Sequence, residues 1–292
     1  MQCEPRVIKI HDTDDCCIFD VTNIDVSIAN GLRRIMISEV PTMAIERVIL
    51  EENSSCIPDE MLCHRLGLIP IYADPRKFNF PKDTKFTDAT EEDTIVFELD
   101  VECTLDKAKN KVHDKVYSGD LVWEPQGEQE SVFSGDDKIR PVLDNILICE
   151  LQPYQRIKCR LYCCKGIGQD HAKFSPVCTA AYRLMPKITV LKQEKKMAKK
   201  IKECCPLDVF DIEDGELVVK NPRNCKMCRE CIRDEKSEFV KLGRVENHFL
   251  FTVESTGVYK AREIFTEAMK VMKDKAKKCL DDLEKKRSAM NE

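Results

Sequence analysis

The sequence contains no apolar stretch that approaches the roughly 20 residues needed to span a membrane, and it opens without the basic and then apolar segments of a secretory signal. We therefore expect an intracellular protein whose thiols stay reduced. The sequence also has no excess of basic residues, because its formal net charge is −5. A free-standing nucleic-acid-binding protein usually carries such an excess, so the charge balance argues against that class.

Catalytic motifs are missing as well. The sequence contains no G-x-S-x-G, P-loop or H-E-x-x-H pattern, and no G-x-G-x-x-G fingerprint for a flavin or dinucleotide. The five histidines are scattered along the chain. The sequence therefore gives little support to a hydrolase or a transferase, and we expect that the chain is not an enzyme by itself.

Cysteine, in contrast, is abundant, with 17 residues in the chain. Cys205 precedes a proline, and Cys225, Cys228 and Cys231 follow at C-x2-C-x2-C spacing. These are the surviving parts of two bacterial ferredoxin runs of the form C-x2-C-x2-C-x3-C-P, and together they supply one set of four thiolates. Such a set suits a [4Fe-4S] cluster or a tetrahedral zinc ion, and the order of the motif favours iron and sulfur.

Two alternatives to this metal centre stay open. Cys204 is adjacent to Cys205 and could replace it as a ligand, although the proline that follows favours Cys205. The thiols could also be buried without metal, as small hydrophobic side chains. A single centre in a chain of 292 residues is typical of a structural metal that stabilises the fold, and a single-cluster electron-transfer protein is the competing interpretation.

Apolar periodicity predicts three helices. The first begins at Asp25 or Ser27, repeats apolar residues at steps of three and four, and ends near Val40. A short helix is expected at 58–67 and a long one at 261–286. The long helix has a continuous apolar seam, which is typical of a helix that packs on another helix, in the same chain or in a partner.

Strands are predicted between these helices, and residues 157–163 alternate apolar and polar side chains as a half-buried strand does. Asp214-Gly215 predicts a tight hairpin turn. The lysines in 192–202 invite a nuclear-localisation or RNA-binding interpretation, but we favour a solvated helix face. The predicted strands are 6–10, 15–21, 43–51, 94–105, 145–164, 177–192 and 247–255.

Four segments in order resemble one protein family. NGLRRIMISEVPTMAIERV at 30–48 resembles the first helix and following strand of the alpha-like subunits of cellular RNA polymerases, a family that includes archaeal counterparts and the bacterial alpha subunit. DEMLCHRLGLIPI at 59–71, QDHAKFSP at 169–176 and FTVESTG at 251–257 are similar to three further motifs of that family. Within it, the chain most resembles the larger alpha-like subunit shared by RNA polymerases I and III.

The resemblance implies a non-catalytic assembly platform of a nuclear DNA-directed RNA polymerase, located in the nucleolus and nucleoplasm. It implies a heterodimer with the smaller alpha-like subunit, formed through the first helix, the terminal helix and the sheet between them. The second-largest subunit would dock on Arg33, Arg34 and the His171–Lys173 loop, and small zinc-binding subunits are further partners. No sequence-specific DNA contact and no membrane contact are expected. The implied interface residues are Leu32, Arg33, Arg34, Ile35, His171, Lys173, Val271 and Leu280.

The resemblance also bears on the metal. The corresponding subunit of RNA polymerase II carries a zinc loop that is absent here, because residues 67–90 contain no cysteine. Archaeal relatives carry a ferredoxin-like insert that often holds [4Fe-4S] clusters, whereas many subunits of polymerases I and III lack its cysteines. This chain keeps one complete set of four, so a [4Fe-4S] cluster is the expected cofactor, with zinc or no metal as alternatives.

The predicted fold class is α+β, in three parts. We expect a discontinuous alpha-like dimerisation domain at 1–50, 176–195 and 240–292. A mostly β domain is inserted at 51–175, and a small ferredoxin-like module lies at 196–239.

Overall fold

A computed structural model describes residues 4–81, 90–105 and 111–289 of the chain. Helices and strands both contribute, and the strand pairs with a defined register are antiparallel. The protein is therefore a mixed α and β structure with several small antiparallel sheets, which agrees at this level with the predicted class. None of the helices described has the length and apolar character needed to cross a bilayer.

The described residues form five α-helices and sixteen strands, joined by short 3-10 turns. The helices are α1 (Val26–Ser38), α2 (Asp59–Gly67), α3 (Gln129–Val132), α4 (Lys195–Cys204) and α5 (Ala261–Ala289). The strands are β1 (Arg6–Asp12), β2 (Cys16–Thr22), β3 (Thr42–Asn53), β4 (Ile71–Tyr72), β5 (Thr94–Glu102), β6 (Thr104–Leu105), β7 (Lys111–Val112), β8 (Lys115–Tyr117), β9 (Val122–Glu124), β10 (Arg140–Pro141), β11 (Leu147–Glu150), β12 (Arg156–Gly166), β13 (Val177–Val190), β14 (Phe210–Glu213), β15 (Glu216–Val219) and β16 (Val240–Ser255).

The chain divides into two compact units. Unit 1 contains the N-terminal segment up to His11, residues 18–30 and residues 181–252. Unit 2 contains residues 12–17, residues 31–180 and the segment from Val253 onward. The three-part division expected from the sequence stays a prediction.

Unit 1 contains a four-stranded sheet in the order β1-β2-β16-β13. Aromatic rings pack along it: Phe19 and Phe251 stack with their centroids 5.3 Å apart, and Tyr182 meets Phe249 edge-on at 5.4 Å. A second core lies between α4 and the β14–β15 hairpin, and the lysines of α4 lie on its exposed side, as a solvated helix face requires. This second core buries Met197, Ala198, Ile201, Val209, Phe210, Leu217, Cys225, Cys231 and Val240.

Unit 2 is organised around β12, which pairs with both β3 and β5, while β9 completes the sheet order β3-β12-β5-β9. Ile157, Cys159, Leu161 and Cys163 alternate along β12 and are completely buried. This pattern confirms the half-buried strand predicted from the alternation of side chains. Helix α2 packs against β3 and closes the core of the unit.

One cap and one turn predicted from the sequence are confirmed. Oδ1 of Asp25 accepts the backbone N–H of Ser27 at 2.8 Å, so Asp25 caps α1. Hydrogen bonds from the side chain and backbone of Ser27 lower the pKa of Asp25. Asp214 and Gly215 both have positive φ, at 52° and 86°, which is the backbone that a tight turn between β14 and β15 requires.

The predicted strand 145–164 is wrong in one respect, because it divides into β11 and β12. A turn interrupts it where Tyr154 adopts a φ of 69° and the N–H of Gln155 donates to the carbonyl of Gln152 at 3.0 Å. Pro153 has no N–H to offer a sheet ladder, so a break is favoured here. The last strand also differs, because it begins at Val240 rather than at 247.

The central position of Leu161 predicts a large effect on stability. It is completely buried, between Val48 on β3 and Phe97 on β5. We expect Leu161→Ala to lower the free energy of unfolding by about 2–5 kcal/mol, because it leaves a cavity in the hydrophobic core of unit 2. Ile49→Ala, at a position on β3 that is 40% exposed, is the control and should cost less than about 1 kcal/mol. Urea titration followed by circular dichroism measures both, and equal losses would contradict the expectation.

Candidate functional site

Helix α1 presents the two predicted arginines beside a buried stripe. Leu32 and Ile35 are each only 5% exposed, whereas Arg34 is exposed and Arg33 is partly exposed. The two apolar residues therefore belong to the core of this chain, whereas the arginines remain accessible to a partner, as does the first turn of the helix with Val26 and Ile28. The interface role of all four residues stays a prediction.

The loop at 167–173 lies directly against the C-terminal end of α1. A Cβ on Gly168 would lie 2.3 Å from the carbonyl oxygen of Ile37, so only glycine permits this approach. The N–H of Gln169 donates to the carbonyl of Ser38 at 2.8 Å. The structure thus brings two segments that the resemblance implied as contact regions together on one surface.

The two implied contact residues of this loop differ in their surroundings. His171 is exposed, and its Nδ1 accepts the N–H of Lys173 at 3.1 Å. The ammonium of Lys173 donates to the carbonyl of Ile45 at 2.8 Å and pairs with Glu46 at 2.5 Å. Because the Lys173 side chain is only 11% exposed, its charge locks the loop onto β3. The sequence does not reveal this contact, since Ile45 lies 128 residues away.

Helix α5 changes character along its length. Its first turns bury Ala261, Ile264 and Ala268 completely within unit 2. From 273 to 288, in contrast, every residue is exposed. Leu280, an implied interface residue, is 60% exposed there. The second half of the helix therefore carries an apolar seam that the described part of the chain does not cover.

Val271, another implied interface residue, is partly buried where the two halves of α5 meet. At this point α5 packs on α1, because Met272 Cε lies 3.0 Å from the position a Cβ on Gly31 would take. Lys275 Nζ donates to both carboxylate oxygens of Glu39, at 2.7 and 2.8 Å. These contacts fix the direction in which the exposed half of α5 leaves α1.

Five thiols line one pocket in unit 1, which we call the thiol pocket. It contains all four predicted metal ligands and one further cysteine, Cys204. Cys225 and Cys231 are each only 7% exposed, whereas Cys228 is exposed. The members of the thiol pocket are Cys204, Cys205, Cys225, Cys228 and Cys231.

The backbone of the pocket turns sharply between its cysteines. Met227 and Arg229 both adopt a left-handed conformation, with φ of 58° and 67°. The N–H of Met227 points back to the sulfur of Cys225 at 3.5 Å. Hydrogen bonds to sulfur are among the interactions that tune thiolate metal sites. The local backbone is therefore compatible with a bound metal.

The buried thiols resist ionisation. Burial raises the pKa of Cys231 to about 11, and the neighbouring Cys204, Cys225 and Cys228 raise it as well. Burial also raises the pKa of Cys204, against the opposing charge of Lys236. At neutral pH Cys204 and Cys231 are therefore protonated without metal, and a metal ion would have to displace those protons to bind thiolates.

The donor set fits a four-thiolate centre, with one thiol in excess. Within the residues that the structure describes, however, no three Cys, His, Asp or Glu side chains come close enough together to hold a metal ion as they stand. The pocket gathers the donors without forming the final coordination geometry. Cys204 and Cys205 both line it, so the assignment of Cys205 as the fourth ligand stays a prediction.

The residues that hold the cysteine loop in place are not apparent from the sequence. Arg183 donates to the carbonyls of Cys225 and Arg223, at 3.2 and 2.6 Å. Arg223 itself donates to Asp20 at 2.7 Å. Since 203 residues separate Arg223 from Asp20, no local motif connects them. The sequence offers only the weak signal that Asp20 and Arg183 are charged residues within two predicted strands.

The raised pKa of Cys231 predicts a steep pH dependence of its reactivity. In the metal-free chain we expect its alkylation by iodoacetamide to accelerate about tenfold per pH unit from about pH 8 to about pH 10, because only the thiolate reacts. Peptide mass spectrometry after short pulses measures the rate, and the exposed Cys279 in the same sample is the reference. A Cys231 rate that levels off below about pH 9 would contradict the raised pKa.

Comparison with known proteins gives one consistent family. Residues 18–276 match the model of the RNA polymerase Rpb3/Rpb11 dimerisation domain. Subunit rpac1 of DNA-directed RNA polymerases I and III from Dictyostelium discoideum is 50% identical over 263 residues, which cover 88% of this chain and 76% of that protein. Subunit RPAC1 of the same polymerases from Homo sapiens is 43% identical over 294 residues, which cover 96% of this chain and 84% of that protein.

The same subunit from Saccharomyces cerevisiae is 45% identical over 276 residues, covering 88% of this chain and 81% of that protein. All three relatives are named as subunits of polymerases, which confirms the expectation of a subunit rather than an enzyme by itself. The resemblance to the larger alpha-like subunit is confirmed by the same findings. The chain therefore belongs to the RNA polymerase Rpb3/Rpb11 dimerisation-domain family.

Proposed function

We propose that this chain is the larger alpha-like subunit shared by nuclear RNA polymerases I and III, where it serves as a non-catalytic platform for assembly. The identity of 43–50% to the shared subunit over most of the chain supports this function. The competing electron-transfer interpretation gains no support from these relatives. Location in the nucleus follows from the function, with the nucleolus as the place of polymerase I.

The observation that carries the proposal is the exposed second half of α5. Leu280 and Leu283, at 60% and 64% exposure, stand three residues apart and so on one side of the helix. Covering a leucine side chain completely contributes about 1.5–3 kcal/mol, so a partner gains from packing here. The proposed occupant of this apolar seam is the smaller alpha-like subunit.

The surface formed by the C-terminal part of α1 and the loop at 167–173 is the proposed dock for the second-largest subunit. Arg34 and His171 are exposed on it. A hydrogen bond from Gln169 to Ser38 and an ion pair between Lys173 and Glu46 hold its backbone in place. A surface held rigid before binding loses less conformational entropy on association, which favours a permanent subunit contact. Small zinc-binding subunits of the polymerase are the remaining proposed partners.

The thiol pocket is proposed to hold a structural metal centre on Cys205, Cys225, Cys228 and Cys231. The gathered thiols and the N–H directed at the sulfur of Cys225 support this. A [4Fe-4S] cluster is the first candidate and zinc the alternative, because both take four thiolates. When bound, such a centre supplies folding free energy rather than redox chemistry. The residues of the pocket would contribute the thiolates.

Affinity purification of tagged variants from the protein's own cells tests the assembly role. We expect the wild-type chain to recover a smaller alpha-like subunit and two very large subunits in near-equal amounts. The double variant Leu280→Asp, Leu283→Asp should recover at least about tenfold less of all three, because it puts two charges where the proposed partner would cover two leucines.

The matched control is Lys278→Asp, which places the same charge on the opposite side of the exposed half of α5. It should recover the partners as the wild-type chain does. Equal recovery by the leucine variant and the control would overturn the proposed heterodimer surface. Recovery of the wild-type chain alone, or with a reductase, would overturn the assembly function itself.

Metal analysis of the complex purified without oxygen tests the centre. We expect about four iron and four sulfide per chain for a [4Fe-4S] cluster, or about one zinc for the alternative. Cys228→Ser should remove most of this metal and weaken assembly, while each assembled polymerase keeps its specific activity. Cys178→Ser, at an exposed cysteine outside the thiol pocket, is the control. Metal-free wild-type complex would show that the pocket holds free thiols.

A further inference from the structure

Two arginines attach the cysteine loop, residues 222–231, to the four-stranded sheet of unit 1. Arg183 on β13 donates from Nη1 to the carbonyl of Cys225 at 3.2 Å and from Nη2 to the carbonyl of Arg223 at 2.6 Å. Arg223 reaches in the opposite direction and donates from Nη1 to Oδ2 of Asp20 on β2 at 2.7 Å. The backbone beside the first cysteine of the C-x2-C-x2-C motif is therefore held from two strands.

Asp20 contributes a largely buried carboxylate to this attachment. Its side chain is 7% exposed, and Oδ2 also lies 2.9 Å from Nε2 of His248 on β16. Its other oxygen, Oδ1, is buried and has no hydrogen-bond partner among the described residues. A buried carboxylate is costly unless it is paired, so the guanidinium of Arg223 compensates much of that cost. The loop cannot leave the sheet without leaving Asp20 unpaired by Arg223.

We propose that Asp20, Arg183 and Arg223 form a clamp that positions the cysteine loop, so that closing the thiol pocket on a metal ion and stabilising the sheet become coupled events. The three are positioning residues, because they act on the cysteine backbone and do not themselves ligate. The coupling is reciprocal: what loosens the clamp weakens metal binding, and metal binding tightens the sheet. The positioning of the loop is independent of the proposed metal centre, and only the coupling rests on it.

The positioning is tested on the full-length, metal-free chain. We expect Arg183→Met and Asp20→Asn to speed the alkylation of Cys225 and Cys231 at least about tenfold relative to the exposed Cys279, because charge-assisted hydrogen bonds of the loop are lost. Arg244→Met is the matched control, an exposed arginine on β16 of the same sheet. It should leave all three rates unchanged.

Arg183 is exposed, so its substitution disturbs no core and stays informative even where Asp20→Asn does not fold. Circular dichroism identifies any variant that is unfolded. Alkylation rates in a folded Arg183→Met that equal those of the wild-type chain would overturn the clamp. Faster alkylation of these cysteines in Arg244→Met as well would show that any loss of an arginine loosens the sheet, and this result would also overturn the clamp.

Zinc ion alone is the probe for the coupling. Competition with a chromophoric chelator should show zinc binding about 10- to 100-fold weaker in Arg183→Met than in the wild-type chain, which is typical when an outer partner of a metal ligand is lost. Zinc should also slow hydrogen exchange in β2, β13 and β16 of the wild-type chain. Equal zinc affinity in both chains would overturn the coupling. A wild-type chain that binds no zinc and accepts no reconstituted iron–sulfur cluster would overturn the metal centre, while alkylation still decides the clamp.

Discussion

Hydrogen bonding on both sides of β12 is the constraint on which most of unit 2 depends. Because β3 and β5 flank this strand, every second side chain along it is enclosed, and Ile157, Cys159, Leu161 and Cys163 are completely buried. The strand leads at its C-terminal end into the loop at 167–173, so the sheet determines where that loop begins. The loop then contacts the end of α1 through Gln169, and α1 in turn contacts α5. The surfaces proposed to contact other subunits are therefore connected to one central sheet.

Polar contacts hold these surfaces in place where apolar packing ends. Lys173 buries its charge against Glu46, and Lys275 binds both oxygens of Glu39. An exposed ion pair contributes little to stability, but here the lysine is largely shielded and also donates to the carbonyl of Ile45, so it holds a backbone segment in place. Such contacts suit a platform protein, whose role is to present fixed surfaces rather than to change a substrate. The second half of α5 differs, because its leucines Leu280 and Leu283 stay exposed and no contact within the described residues covers them.

The thiol pocket lies against an apolar cluster of unit 1. It combines a small apolar core, made by α4 and the β14–β15 hairpin, with donors that are gathered but not yet in coordination geometry. Burial favours the protonated thiols, whereas a metal needs thiolates, so burial and metal binding oppose each other in this pocket. The charge of Lys236 lowers the pKa of Cys204 and so reduces this opposition at that thiol. The cysteine loop, residues 222–231, is attached to the sheet of unit 1 through Arg183 and through the pair of Arg223 with Asp20.

The sequence by itself determined the local features of this protein. The alternation in β12, the cap at Asp25, the turn at Asp214-Gly215 and the spacing of the cysteines all depend on neighbours within a few residues, and periodicity or turn chemistry is enough to read them. The family motifs can likewise be recognised from short runs of consecutive residues. The break at Tyr154 shows the limit, because apolar residues on both sides mask a turn. Only the tertiary structure decided that Lys173 pairs with Glu46 and that Arg223 donates to Asp20. It also decided that Leu32 and Ile35 are buried in the core. These roles depend on burial and on partners far apart in the chain, and neither is encoded in local sequence.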